Sequence, residues 1–169
     1  MRRGFLLPLI VCLLFVPAAA AQAQLSKSIG IGVASPQGEF GDYFDEGYTV
    51  RGQFQLSALG LIAVHTQAGW TRFSSDFDPG TVVPDSNVPA SIEGIDGDAD
   101  ILHAGVGARL GVFGLAFVGA NAAYFFGDGD EDVGFFPEIG VGLGPLEVVA
   151  DYRIGSDFNW FGLRGALKF

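Results

Sequence analysis

NWFGLRGALKF, residues 159–169, ends the chain on an aromatic ring. Taken alternately, it divides into Phe161, Leu163, Gly165, Leu167 and Phe169 on one side and Trp160, Gly162, Arg164, Ala166 and Lys168 on the other. Successive side chains of a strand point to opposite faces of a sheet, so the stretch predicts a β-strand with one apolar and one polar face. What remains to be decided is which face looks inward.

The same period of two recurs from residue 24 onward, and no window sustains the three-to-four-residue repeat of an amphipathic helix. Seven further strands follow, at about 27–34, 48–58, 61–73, 101–112, 115–126, 133–143 and 146–154. The first sets Ile29, Ile31 and Val33 against glycine and serine. The second sets Tyr48, Val50, Phe54 and Leu56 against Thr49, Arg51, Gln53 and Gln55. The third opposes Val64 and Trp70 to His65 and Gln67, and the fourth opposes Leu102, Val106 and Leu110 to His103 and Arg109. In the fifth, Val118, Tyr124 and Phe126 oppose Gly119 and Asn121; in the sixth, Phe135, Ile139 and Val141 oppose Glu138. The seventh faces Val148, Tyr152 and Ile154 one way and Glu147, Asp151 and Arg153 the other.

Three features turn the apolar faces outward. The windows mostly run to about 9–12 residues, the length of a tilted bilayer-spanning strand and longer than the usual soluble one. The connections alternate, with tight links at Leu59-Gly60, Phe113-Gly114 and Gly144-Pro145 and longer, acidic links at the other end. Short turns on the periplasmic side and long loops outside are the pattern of an outer-membrane barrel. Finally, Tyr48, Trp70, Tyr124, Phe126, Phe135 and Tyr152 gather at the long-loop ends and Phe169 at the opposite rim, as two aromatic girdles would. The fold expected is therefore all-β: an eight-stranded antiparallel transmembrane up-and-down β-barrel. Its lumen is narrow enough for side chains to fill, and inward glycines suit that crowding. Backbone groups in lipid must be satisfied within the sheet, so the first and last strands must pair. An even strand count then puts both termini in the periplasm.

Composition agrees with export. The 169 residues suit one domain, and 49% are hydrophobic although the net charge is -10. Arg2 and Arg3, an apolar run over residues 5–16, Pro17 and the Ala21-Gln22-Ala23 tract are the three parts of a secretory signal peptide, so residues 1–23 are expected to be removed and 24–169 to form the barrel. Cleavage leaves 7 basic against 19 acidic residues, a net -12, and removes Cys12, the only cysteine. Disulfides then play no part, and Cys12 lacks the small-residue context of lipid attachment. Strong acidity without a basic cluster argues against nucleic acid.

With its signal peptide, alternating strands, the Pro36-Gln37-Gly38-Glu39-Phe40-Gly41 segment and a terminal Phe after alternating apolar residues, the chain resembles the small outer membrane protein β-barrel family. The resemblance covers nearly the whole mature chain and implies location in the outer membrane of a Gram-negative-type bacterium, contact with lipid and lipopolysaccharide, and a monomer. It also implies that Phe161, Leu163, Leu167 and Phe169 form the aromatic C-terminal signal read by the barrel-assembly machinery.

Inside the barrel the expected charges are Arg51, Arg109, Arg153, Arg164 and Lys168 against Glu138, Glu147 and Asp151. A tight turn at Gly144-Pro145 puts Glu138 level with Asp151, and a turn near Asp157-Phe158 puts Asp151 beside Arg164 and Glu147 beside Lys168. Two neighbouring carboxylates can serve as a catalytic pair, but arginines at the same height favour a charge-paired plug. His65 and His103 are the only histidines; His65 falls low on an inward face with no serine nearby in sequence, and His103 is inward near the loop end, preceded by Asp98 and Asp100. Lipid A-modifying barrels use a histidine with a serine and an acid, which keeps a membrane enzyme as one alternative. A soluble lipocalin-like carrier with Phe54, Val106 and Leu163 lining a pocket is the other. Asp76, Asp78, Asp85, Glu93, Asp96, Asp98 and Asp100 crowd the longest link, and Asp128, Asp130, Glu131 and Asp132 the next. Asp96-Gly97-Asp98-Ala99-Asp100 begins like a calcium loop but lacks its glycine and distal glutamate. No catalytic, metal or cofactor residues are assigned. The function expected is a non-enzymatic outer-membrane barrel with a structural or surface-interaction role.

Overall fold

Eight antiparallel strands follow one another around a closed ring: β1 (Gln24–Gln37), β2 (Phe44–Ala58), β3 (Ile62–Ser75), β4 (Ala99–Val112), β5 (Ala116–Gly127), β6 (Asp132–Leu143), β7 (Leu146–Ile154) and β8 (Asn159–Lys168). The computed structural model describes residues 24–58, 61–75, 98–127, 132–156 and 158–169. Each strand pairs with its sequence neighbour, and β8 returns to β1 over ten residue pairs from Ser28↔Lys168 to Gln37↔Asn159. Phe169 extends this seam: its N–H donates to the Lys27 carbonyl at 2.8 Å, and Lys27 N–H donates to the Phe169 carbonyl at 2.9 Å. No strand edge is left to be desolvated in lipid.

Local chemistry sets the tight end. Gly144, at φ 65°, precedes Pro145, whose ring fixes φ near -65°, and the two close β6 onto β7 as a two-residue turn. Phe113 and Gly114 also take positive φ, 51° and 76°, between β4 and β5. Gln24, the first described residue, and Phe169 lie at this end. At the other end a short 3-10 helix, Gly38–Asp42, joins β1 to β2.

Alternation puts the apolar face outside. Ile31 is 69% exposed, Phe54 56%, Val106 59% and Leu163 44%, although each is flanked along its strand by inward residues that are buried or half-buried. The last three are therefore wall residues and not the lining of a pocket, which removes the soluble-carrier alternative. With strands of 9 to 15 residues, the apolar belt is tall enough to cross a hydrocarbon core about 30 Å thick.

The structure departs from the sequence reading in strand length and in one register. Most strands extend beyond the windows, β1 by three residues at each end. Glu138 does sit level with Asp151, but the β7–β8 register differs by two residues: Asp151 pairs with Gly162 and Glu147 with Ala166, not with Arg164 and Lys168. The cause is the link after β7, where Gly155 N–H bonds the Phe158 carbonyl at 3.0 Å and Ile154 pairs with Asn159. The turn is centred one residue earlier than expected.

Candidate functional site in the barrel lumen

The polar face of every strand converges on the lumen, and three rows of residues show how it fills. In each row a glycine on the middle strand gives up its side-chain space to a residue level with it: to Glu138 at Gly119, to Asn121 and His65 at Gly107, and to His103 at Gly69. Arg109 on β4, Gly119 on β5 and Glu138 on β6 share one level. Across Gly119, Arg109 Nε donates to Glu138 Oε1 at 2.6 Å and Nη2 donates to Oε2 at 3.3 Å, a side-on pair. His65 on β3, Gly107 on β4 and Asn121 on β5 form the second row, and His65 Nε2 lies 2.6 Å from Asn121 Oδ1. Asn121 Nδ2 donates to the Phe136 carbonyl at 3.2 Å, which leaves its Oδ1 to accept from His65 and from Gln67 Nε2. Arg51 on β2, Gly69 on β3 and His103 on β4 form the third.

A methyl group in the second row has nowhere to go. A Cβ at Gly107 would overlap Asn121 Oδ1 and stand 2.6 Å from His65 Nε2. Gly107→Ala is therefore expected to destabilise the barrel by about 1–3 kcal/mol, the usual cost of overpacking, read as a lowered urea midpoint. Gly52→Ala on β2 is the control, since its added Cβ meets only the Ala68 carbonyl, at 3.9 Å.

Carboxylates tie the rows together. Asp151 accepts from Arg51 Nη2 at 2.9 Å, Arg164 Nη1 at 2.6 Å and Arg153 Nε at 3.2 Å. Glu138 also accepts from Arg164 Nη2 at 3.3 Å. Glu147 takes Arg109 Nη1 at 3.2 Å and lies 3.7 Å from Lys168 Nζ at the rim. Arg51, Arg109, Glu138, Glu147, Asp151, Arg153, Arg164 and Lys168 thus form one continuous set of ion pairs. Arg109 further donates to Gln53 and Gln55, both at 3.1 Å, and lies 4.4 Å from the Phe117 ring centre. The Asp151–Arg164 and Glu147–Lys168 contacts are diagonal, spanning the two-residue offset in register.

Towards the long-loop end the lumen turns aromatic. Phe40, Phe44, Phe73, Phe125, Phe136, Phe158 and Trp160 are buried there with Ala34, Ala99, Ile101 and Ala123. The 3-10 helix folds Phe40 inward, where its ring centre lies 5.1 Å from Phe73 and 4.8 Å from Phe44. Trp160 contacts Phe73, Phe125 and Phe158 and receives Arg153 at 4.9 Å from its ring. The sequence reading missed this plug. Its signal is a second set of aromatics alternating with the girdle, as in Tyr124-Phe125-Phe126 and Phe135-Phe136. The opposite end holds a cavity of about 320 Å³ lined by Gln24, Gln55, Ser57, Arg109, Glu147 and Lys168 among others.

Neither histidine has a serine as hydrogen-bond partner among the described residues. His65 meets Asn121, and His103 Nδ1 lies 3.3 Å from Arg153 Nη1. At the outer rim Arg72 donates to Asp98 at 2.8 Å and to Asp100 at 3.3 Å, and Trp70 Nε1 also donates to Asp100. The hydrogen bonds from Arg72 hold the Asp98 carboxyl below its usual range. The other acidic residues of the two longest links, apart from Asp132, lie outside the described residues. Asp132 binds the backbone N–H of Ser156 at 2.6 Å. Phe161, Leu163, Leu167 and Phe169 all stand on the outer wall, with Phe169 70% exposed.

No protein-family model matches the sequence, and no curated protein matches it significantly. Solved structures do. The Yersinia pestis outer membrane protein Ail in a phospholipid bilayer nanodisc is similar at a TM-score of 0.54 and 13% identity, over 86% of this chain and 100% of that one. Ail, the attachment invasion locus protein, in complex with the heparin analogue sucrose octasulfate gives 0.51 and 14%, over 86% and 99%. Neisserial surface protein A gives 0.52 and 12%, over 86% and 97%. Closed strand order, an outward apolar belt and these likenesses agree: the chain is a transmembrane eight-stranded up-and-down β-barrel with the fold of the small outer-membrane barrels.

Proposed function

We propose that the protein is a monomeric, non-enzymatic outer-membrane barrel with a structural or surface-interaction role, exported by removal of residues 1–23, with both termini in the periplasm. The observation that carries this reading is the combination of a closed ring with an apolar exterior and a lumen filled by charge pairs and aromatic rings. Among the described residues such a lumen leaves no open pore, which favours action through the wall and the outer surface. The commitment of His65 to Asn121 and of His103 to Arg153 supports a non-enzymatic role over lipid A modification. Phe161, Leu163, Leu167 and Phe169 suit the assembly signal, since they lie on the outer wall of the strand that closes the seam.

The outer surface is acidic. Glu39, Asp42, Asp45, Glu46, Asp98, Asp100 and Asp132 belong to that end among the described residues, with Arg72 as a half-buried cation. Such a surface repels sulfated polyanions, so a ligand of the kind bound by Ail, a heparin analogue, is the wrong charge for this chain. Cationic partners, or divalent ions shared with lipopolysaccharide, suit it better.

Cell fractionation followed by gel electrophoresis with and without boiling tests the proposal. The expected result is recovery in the outer membrane and a band whose mobility changes on boiling, because a closed barrel resists detergent until heated. Recovery in the soluble periplasm with a single unshifted band would overturn it.

A further inference from the structure

We propose that the lumen binds a halide-sized monovalent anion between Arg51 and His103, at the level of Gly69. The first ground is charge. Among the described residues, the lumen side chains at most 10% exposed comprise four guanidiniums, Arg51, Arg109, Arg153 and Arg164, against three carboxylates, Glu138, Glu147 and Asp151. One buried positive charge is left over, and burying an unbalanced charge is costly.

The second ground is the count of donors. Arg51 uses Nη2 on Asp151, while its buried Nε and Nη1 have no hydrogen-bond partner among the described residues. The nearest Glu138 oxygen is 4.0 Å from Nη1, beyond hydrogen-bond reach. Arginine offers no acceptor, so in the Arg153–His103 contact the imidazole Nδ1 accepts and the proton of the neutral ring sits on Nε2. That Nε2–H is likewise buried and unpartnered. The unmatched groups of this row are therefore all donors.

The third ground is the row itself. Across Gly119 a donor faces an acceptor, Arg109 to Glu138, and across Gly107 His65 faces Asn121. Across Gly69, Arg51 faces His103, a donor facing a donor. The imidazole lies over the glycine, since a Cβ at Gly69 would overlap His103 Cε1 and stand 2.8 Å from Nε2. The Phe136 ring, 5.2 Å from the Arg51 guanidinium, adds an apolar wall. An anion accepts several N–H groups at once and cancels the surplus charge. A water molecule brings two further donors and cancels nothing.

Crystals of the detergent-solubilised protein grown in sodium bromide, measured at the bromine absorption edge, give the direct test. An anomalous peak within hydrogen-bond distance of Arg51 and His103 Nε2 is expected; an ordered water there, without anomalous signal, would overturn the proposal. In solution, urea unfolding in sodium chloride is compared with sodium gluconate at equal ionic strength. At ten times the dissociation constant, chloride raises the folded-to-unfolded ratio about tenfold. Arg51→Lys, which keeps a cation for Asp151 but has no Nε, and His103→Phe, which keeps the ring contact with Phe125, both abolish that gain. A chloride effect equal in the original protein and both variants would refute the site.

Discussion

Replacing Asp151 with alanine is expected to lower the unfolding free energy of the barrel by about 3–5 kcal/mol, the cost of breaking a buried ion pair by removing one partner. Three guanidiniums depend on this carboxylate: Arg51, Arg153 and Arg164, each with a side chain no more than 4% exposed. Without it, the hydrogen bonds left among the described residues are the 3.3 Å contact of Arg164 to Glu138 and that of Arg153 to His103. Water cannot readily enter to replace the lost acceptor, because aromatic rings close one end of the lumen and the Arg109 cluster narrows the other. Urea unfolding of the refolded protein in detergent, followed by Trp fluorescence, gives the value. A loss below about 1 kcal/mol, typical of an exposed pair, would show that the lumen is solvated and that the network holds little. Asp151→Asn separates charge from hydrogen bonding and should fall between alanine and the original residue.

Trp160→Ala is expected to cost a similar amount, about 3–5 kcal/mol, by a different mechanism. The indole is fully buried at the centre of the outer plug and packs edge-on to Phe73 and Phe125, tilted on Phe158, and beneath the Arg153 guanidinium. Its removal leaves a void bounded by β3, β5 and β8, and barrel strands held by neighbouring ladders cannot collapse into it. The two variants separate in their salt response: added salt should moderate the Asp151 loss wherever ions reach the network and leave the Trp160 loss unchanged.

The faces of the strands were legible because a period of two is a strong signal where one face is apolar and the other polar, as at Arg51 to Leu56. Register was legible only where a turn fixes it. Gly144-Pro145 admits one tight geometry, so Glu138 opposite Asp151 could be read from sequence. The four residues 155–158 admit several, and a slip of two residues keeps every side chain on its own face, so alternation cannot detect it. The aromatic plug escaped notice because its residues lie in runs that are apolar on both faces: in Tyr124-Phe125-Phe126 the girdle and the plug alternate, and hydropathy does not distinguish lipid from lumen. The glycine rows were out of reach for a further reason. Which side chains meet across Gly69, Gly107 or Gly119 depends on the register of three strands at once, and no local pattern encodes that.

Every strand pairing but one joins neighbours along the chain; the exception is the seam between β1 and β8, which brings Ser28 level with Lys168. Seven pairings can form as hairpins with short loop closures or modest ones, whereas the pairs of the eighth, from Gln37↔Asn159 to Ser28↔Lys168, lie about 120 to 140 residues apart along the chain. Loop-closure entropy rises only slowly with length, yet non-local contacts are what slow folding. The kinetics of this barrel should therefore divide into fast hairpin growth and one late ring-closing step. Substitutions along the seam, at Ile29, Ile31 or Leu163, should retard that step, while equivalent changes on β3 or β4 mainly accelerate unfolding.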